Sequence, residues 1–120
     1  MTSWSERGSA SVAVVGLLAA LILTTAAALG ACALLAAKQG VVAAADAAAL
    51  AAADTVSGRV AGSPCGRAGE AARLNGASLG ACELSGLNAL VSARRVIAGV
   101  PIEVWARAGP PQSKTASMNR

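Results

Sequence analysis

Between Arg7 and Lys38 the chain carries no charged side chain, and its largest apolar residues cluster near the middle of this stretch, at Leu17, Leu18, Leu21, Ile22 and Leu23. A helix over residues 8–37 would be about 45 Å long at a rise of about 1.5 Å per residue. The hydrocarbon core of a bilayer is about 30 Å thick, so the excess asks for tilt or for a start nearer Val12. A soluble domain of this size has no room to hide such a helix. The stretch therefore reads as a membrane helix or as a secretion signal. Past Lys38 the pattern changes without losing its helical character. Residues 41–56 are alanine-rich, and alanine is the strongest helix former. Asp46 and Asp54 put this part outside the hydrocarbon, and Gly40 is where a bend is expected.

Residues 57–64 break the helix with Gly58, Gly62 and Pro64. Ser63 followed by Pro64 is a helix start, serine as cap and proline in the first turn. It predicts a short helix from Cys65 to about Leu74, ended by Asn75-Gly76, which tolerate a left-handed backbone. Three strands are then expected, over 78–84, 89–97 and 100–107, with turns at Ser85-Gly86 and Ala98-Gly99. The last strand alternates most cleanly, with Val100, Ile102, Val104 and Ala106 on one face and Glu103, Trp105 and Arg107 on the other. Gly109-Pro110-Pro111 ends it. The fold class predicted is α+β: a long N-terminal transmembrane helix, a short helix, and a small antiparallel sheet of two to three strands.

Composition sharpens this picture. The 120 residues are 55% hydrophobic but only 2% aromatic, with no Phe and no Tyr. A domain of about 80 residues built from Ala, Val and Leu buries little surface, so a disulfide, the continuing helix or a partner has to help hold it. The net charge of +4 is carried by dispersed residues. Arg94 and Arg95, adjacent on a strand, point to opposite faces. With no aromatic platform, a nucleic-acid surface is not expected. There is no His, which removes the usual neutral-pH base and the commonest metal ligand. No cysteine pair has zinc-site spacing, and Glu70, Glu83 and Glu103 fall on different elements. No catalytic residue, metal, cofactor or small-molecule substrate is expected, and the chain does not read as an enzyme.

Cys65 opens the short helix and Cys82 lies in the first strand, so a helix packed back on that strand would bring them together. A bridge would place residues after 37 outside the cytosol. The other reading is two buried thiols in a cytosolic domain. Cys32 reads as a small apolar helix residue, although Leu29-Gly30-Ala31-Cys32 resembles a bacterial lipobox. The residues after it stay apolar where lipoproteins turn polar, and Leu79-Gly80-Ala81-Cys82 repeats the same four residues. Gly16 with Ala20, and Ala26 with Gly30, are spaced for close helix packing.

Residues 43–53, Ala-Ala-Ala-Asp46-Ala-Ala-Ala-Leu50-Ala-Ala-Ala, resemble the motif that closes the N-terminal helix of Flp (tight-adherence) pilus-assembly proteins of the TadE/TadG type. Arg7-Gly8-Ser9 matches the opening of that helix. A Cys-containing helix ending in Asn75-Gly76, a second Cys at 82 and a closing stretch like 100–110 are similar to a short actinobacterial TadE-like branch. The resemblance covers most of residues 7–110. It implies a single-pass, pilin-like membrane protein with its N-terminus in the cytoplasm and its C-terminal domain outside. Its role would be that of a minor pseudopilin or assembly component of a pilus or related secretion system. Partners would be the lipid bilayer and other Tad components, met through helix packing, with Asp46 and Leu50 as the helix motif. Prepilin peptidases in such systems cut after a glycine, making Gly8 and Ser9 the candidate cleavage pair. The fifth residue after the glycine, Ala13, departs from the Glu of true prepilins.

The organisation expected is thus a cytoplasmic N-terminus (1–7), a transmembrane helix (8–37), its continuation outside the membrane (38–56), a small disulfide-stapled α+β domain (57–109) and a disordered tail (110–120). The alternative is an exported lipoprotein, lipidated at Cys32, or a small secreted protein cut near 26–28, with a binding role.

Overall fold

The computed structural model describes residues 3–111, with side chains from Gly8 onward. Most of the disordered tail expected at 110–120 lies outside these. The fold is α+β: a helix α1 (Ser3–Val56), a short helix α2 (Pro64–Leu74), and strands β1 (Ser78–Ser85), β2 (Asn88–Ile97) and β3 (Val100–Ala108). The strands form one antiparallel sheet in the order β1-β2-β3. The chain divides between Ala36 and Ala37 into two compact units, so α1 contributes its first part to one and its last part to the other. The helix starts at Ser3 rather than at Gly8, because nothing in Ser3–Arg7 interrupts a helical backbone.

In the first unit, α1 is apolar all round and uncovered. Val12, Leu17, Ile22, Leu23 and Leu29 keep 67–73% of their surface open. Thr24 and Thr25 turn their hydroxyls back on the helix, donating to the carbonyls of Ala20 and Leu21 at 2.8–3.0 Å. Hydroxyls satisfied in this way leave no donor for a hydrocarbon environment to penalise. Among the described residues this is the one helix long and apolar enough to cross a membrane.

In the second unit, the last part of α1 lays a small-residue stripe into a core. Val41, Ala44, Ala45, Ala48, Ala49 and Ala52 recur at the i, i+3, i+4 spacing of one helix face, and all are buried. They cluster with Ala68 and Ala72 of α2, Ala89, Val91 and Ala93 of β2, and Ala106 of β3. Gly40 continues the helix, and its bare Cα faces Arg95, whose guanidinium lies 3.6 Å from where a Cβ would stand.

Local signals set the short elements. The Ser63 hydroxyl caps α2 by accepting from the Gly66 amide at 3.0 Å, with Pro64 in the first turn. Asn75 closes α2, and Gly76 turns the chain at φ +74°. The first hairpin pairs Ser85 with Asn88, so its two-residue loop is Gly86-Leu87, one position later than Ser85-Gly86. Gly86, at φ +57°, supplies the left-handed first position. The second hairpin turns at Ala98-Gly99 as expected, pairing Ile97 with Val100. Ala98 there holds φ +50°, a conformation costing a non-glycine L-residue about 1–2 kcal/mol. Ala98→Asn, whose side chain suits this turn, is expected to raise the unfolding free energy by about 1 kcal/mol in a denaturant titration.

Along β3 the side chains alternate as the sequence predicts. Ile102, Val104 and Ala106 pack with the core cluster, while Trp105 and Arg107 are exposed. Val100 departs from this. It continues the inward phase but remains 59% exposed, although its partner Ile97 packs against the core cluster.

Candidate functional site

Cys65 and Cys82 are joined by a disulfide, 17 residues apart in sequence. A β-bulge makes this geometry available. Leu79 pairs with Ala93 and Cys82 with Val91, so Gly80 and Ala81 together stand opposite the single residue Ser92. In a regular strand Leu79 and Cys82, three apart, would point to opposite faces. The extra residue restores their phase, and both turn toward the core and α2. Leu79 packs beside Gly69 on α2, and Cys82 reaches the first turn of that helix.

The bulge also builds a small polar cluster on the other face of the sheet. Ser92 is fully buried there, accepting from the Ala81 amide at 2.7 Å and donating to Glu103 at 2.6 Å. Arg94 completes the set, its guanidinium 3.3 Å from the second Glu103 oxygen. A Cβ on Gly80 would collide with all three side chains, so only glycine lets the bulged backbone approach this closely. The Ser92 hydroxyl, and with it Arg94, hold the Glu103 carboxyl below the usual carboxylate range, against partial desolvation. A depressed carboxylate adds stability above its unfolded value, about 4.3, which is lost as pH falls through the lower folded value. Glu103→Gln is therefore expected to flatten the acid limb of a stability profile taken between about pH 2 and pH 6. A variant profile as steep as the parent's would refute this role.

The two motif residues on α1 stand away from both features. Asp46 and Leu50, one helical turn apart, share the exposed face opposite the alanine stripe. Asp46 makes no ion pair among the described residues. Leu50 keeps 59% of its surface open and forms one wall of a shallow groove. Asp54, Ser57 and Arg59 line that groove from the end of α1 and the following turn, and Leu87 and Pro110 line it from the far end of the sheet. Asp54 meets Arg59 there at 3.4 Å. Gly8, Ser9 and Cys32 all lie within α1, exposed, with Cys32 a free thiol.

The structure thus brings Cys65 and Cys82 together and puts Asp46 and Leu50 on one helix face. Ser92 and the bulge were not anticipated. The available signal was Gly80 inside an otherwise apolar strand pattern, a common mark of a bulge. Among the described residues no cluster of His, Cys, Asp or Glu has the arrangement of a metal site. Glu70 is instead paired with Arg67 on α2 and Glu103 with Arg94 on the sheet. The arrangement offers an apolar anchor and exposed helix and sheet surfaces. No protein-family model, curated protein or solved structure matches the chain.

Proposed function

We propose that this chain is a single-pass membrane protein of TadE-like type, with its N-terminus in the cytoplasm and the disulfide-bonded unit on the outer side. Its role in this reading is that of a minor pseudopilin or assembly component of a Flp/Tad pilus or a related secretion system. One observation carries the reading: α1 is a single helix from Ser3 to Val56. Its first part has large apolar side chains open all round, and its last part is the core face of a folded unit. A disposable signal has no reason to share a helix with the core it would leave behind. The Cys65–Cys82 bridge supports an oxidising compartment for residues after 37. Asp46 and Leu50, exposed on the same helix, are the residues we assign to contact with other components.

The reading is tested on the native protein in its host membrane. The mature N-terminus, measured by mass spectrometry, is expected at Met1 or Ser9. A lipidated N-terminal Cys32, or a soluble product starting near Leu29, overturns the retained helix. A membrane-impermeant thiol reagent is expected to label Cys65 and Cys82 in intact cells only after reduction. Free thiols protected in intact cells and reactive in a lysate would instead place the unit in the cytosol. Deletion of the gene is expected to reduce piliation or secretion, and unchanged piliation, secretion and Tad-component interaction would remove the assembly role.

A further inference from the structure

The tip of the β2–β3 hairpin is built unlike a turn that faces water. Residues 96–102, Val-Ile-Ala-Gly-Val-Pro-Ile, contain no polar side chain. Val96 is 67% and Val100 59% exposed, and Pro101 is exposed as well. The register sets Val96 opposite Pro101 and Ile97 opposite Val100. Successive strand residues point to opposite faces, so the tip is apolar on both. Of the residues that dominate turns in water, the tip has Gly99 and Pro101 but none of the polar ones, Asn, Asp or Ser.

Its place within the second unit follows from two contacts. At one end of the sheet, Leu87 and Ala108 line the groove beside Ala53 and Ser57, near the end of α1. At the other end, Arg95 reaches Gly40. The hairpin therefore runs back along α1 toward Lys38. It continues past Arg95 by about 10 Å, at about 3.3 Å per residue. From Gly40 back to Ala37 the helix rises only about 4.5 Å. The tip thus projects at the end of the unit where the chain enters from the uncharged stretch. Lys38 and Arg95, both exposed, are cations at this end, while Arg94 is engaged by Glu103.

We propose that the hairpin tip, residues 96–101, is a second membrane contact of this chain, seated in the interfacial layer of the phospholipid bilayer with Lys38 and Arg95 at the level of the lipid phosphates. The proposal rests on the reading that residues 8–37 span the membrane. Continuity selects the occupant: the surface lies where the chain's own apolar helix acquires its first charge. Apolar residues innermost with cations just outside match the order of acyl chains and phosphates.

The test uses the full chain, with the disulfide intact, in vesicles of phosphatidylcholine and phosphatidylglycerol. An environment-sensitive fluorophore is placed at native Cys32, or in a Cys32→Ala background at Val100→Cys, Val96→Cys or Leu87→Cys. Quenching by lipids with a shallow or a deep doxyl group is compared with quenching by aqueous iodide. Expected are lipid quenching at 32, shallow-lipid quenching with loss of iodide quenching at 96 and 100, and iodide quenching at 87. Lipid quenching at 32 with iodide quenching at 96 or 100 equal to that at 87 overturns the tip contact and leaves the span standing. Iodide quenching at 32 overturns the span, and the tip proposal with it.

Discussion

Cys82→Ser is expected to lower the unfolding free energy of the disulfide-bonded unit by about 3 kcal/mol, the chain-entropy value for a loop of this length. The bond closes a 17-residue separation between the first turn of α2 and the strand beneath it. The share is large because the rest of the unit has little to offer. Of the buried apolar residues among those described, all but Val41 and Val91 are alanine. A buried alanine removes far less apolar surface from water than a leucine or phenylalanine. Urea unfolding of the detergent-solubilised full chain, followed at Trp105 in a Trp4→Phe background, measures the loss. The same shift is expected when the parent protein is reduced, and Cys65→Ser combined with Cys82→Ser should cost no more than either alone. Equal stability of oxidised and reduced parent would refute the role.

The second large effect concerns the alanine stripe itself. Ala48 is fully buried on the core face of α1, whereas Ala43, on the same helix, is exposed. Ala48→Leu adds three carbons where no side chain can yield cheaply, and is expected to cost about 1–3 kcal/mol. Ala43→Leu has open space and should change stability by no more than about 0.5 kcal/mol. The difference between the two midpoints in the same titration is the measurement. Equal effects would mean that the stripe is not closely packed.

Much of this architecture is legible in the residues. The uncharged run between Arg7 and Lys38 and the alanine-rich continuation specify one long helix, because nothing in either breaks it. Ser63-Pro64 and Asn75-Gly76 frame α2, and Ala98-Gly99 marks its hairpin. Asp46 and Leu50, four residues apart, share a face as any helical pair of that spacing must. What escaped depends on pairing between strands. The loop at Gly86-Leu87 is fixed by Ser85 meeting Asn88, and a one-residue slip would be invisible in the pattern alone. Ser92 reads as an ordinary strand serine until Glu103 from the neighbouring strand covers it. The groove beside Leu50 needs Leu87 and Pro110, far apart in sequence. Cys82 meets Cys65 only because a bulge shifts the strand by one residue, and alternation counted along β1 puts Leu79 and Cys82 on opposite sides.

The alanine core has a consequence for how the unit responds to heat and denaturant. Both the heat-capacity change of unfolding and the denaturant m-value scale with the surface newly exposed. A core of methyl groups exposes little, and the disulfide keeps part of the unfolded chain compact. The stability curve of this unit should therefore be unusually flat with temperature, and its urea transition broad. It would melt gradually and retain across a wide thermal range most of whatever stability it has at its optimum.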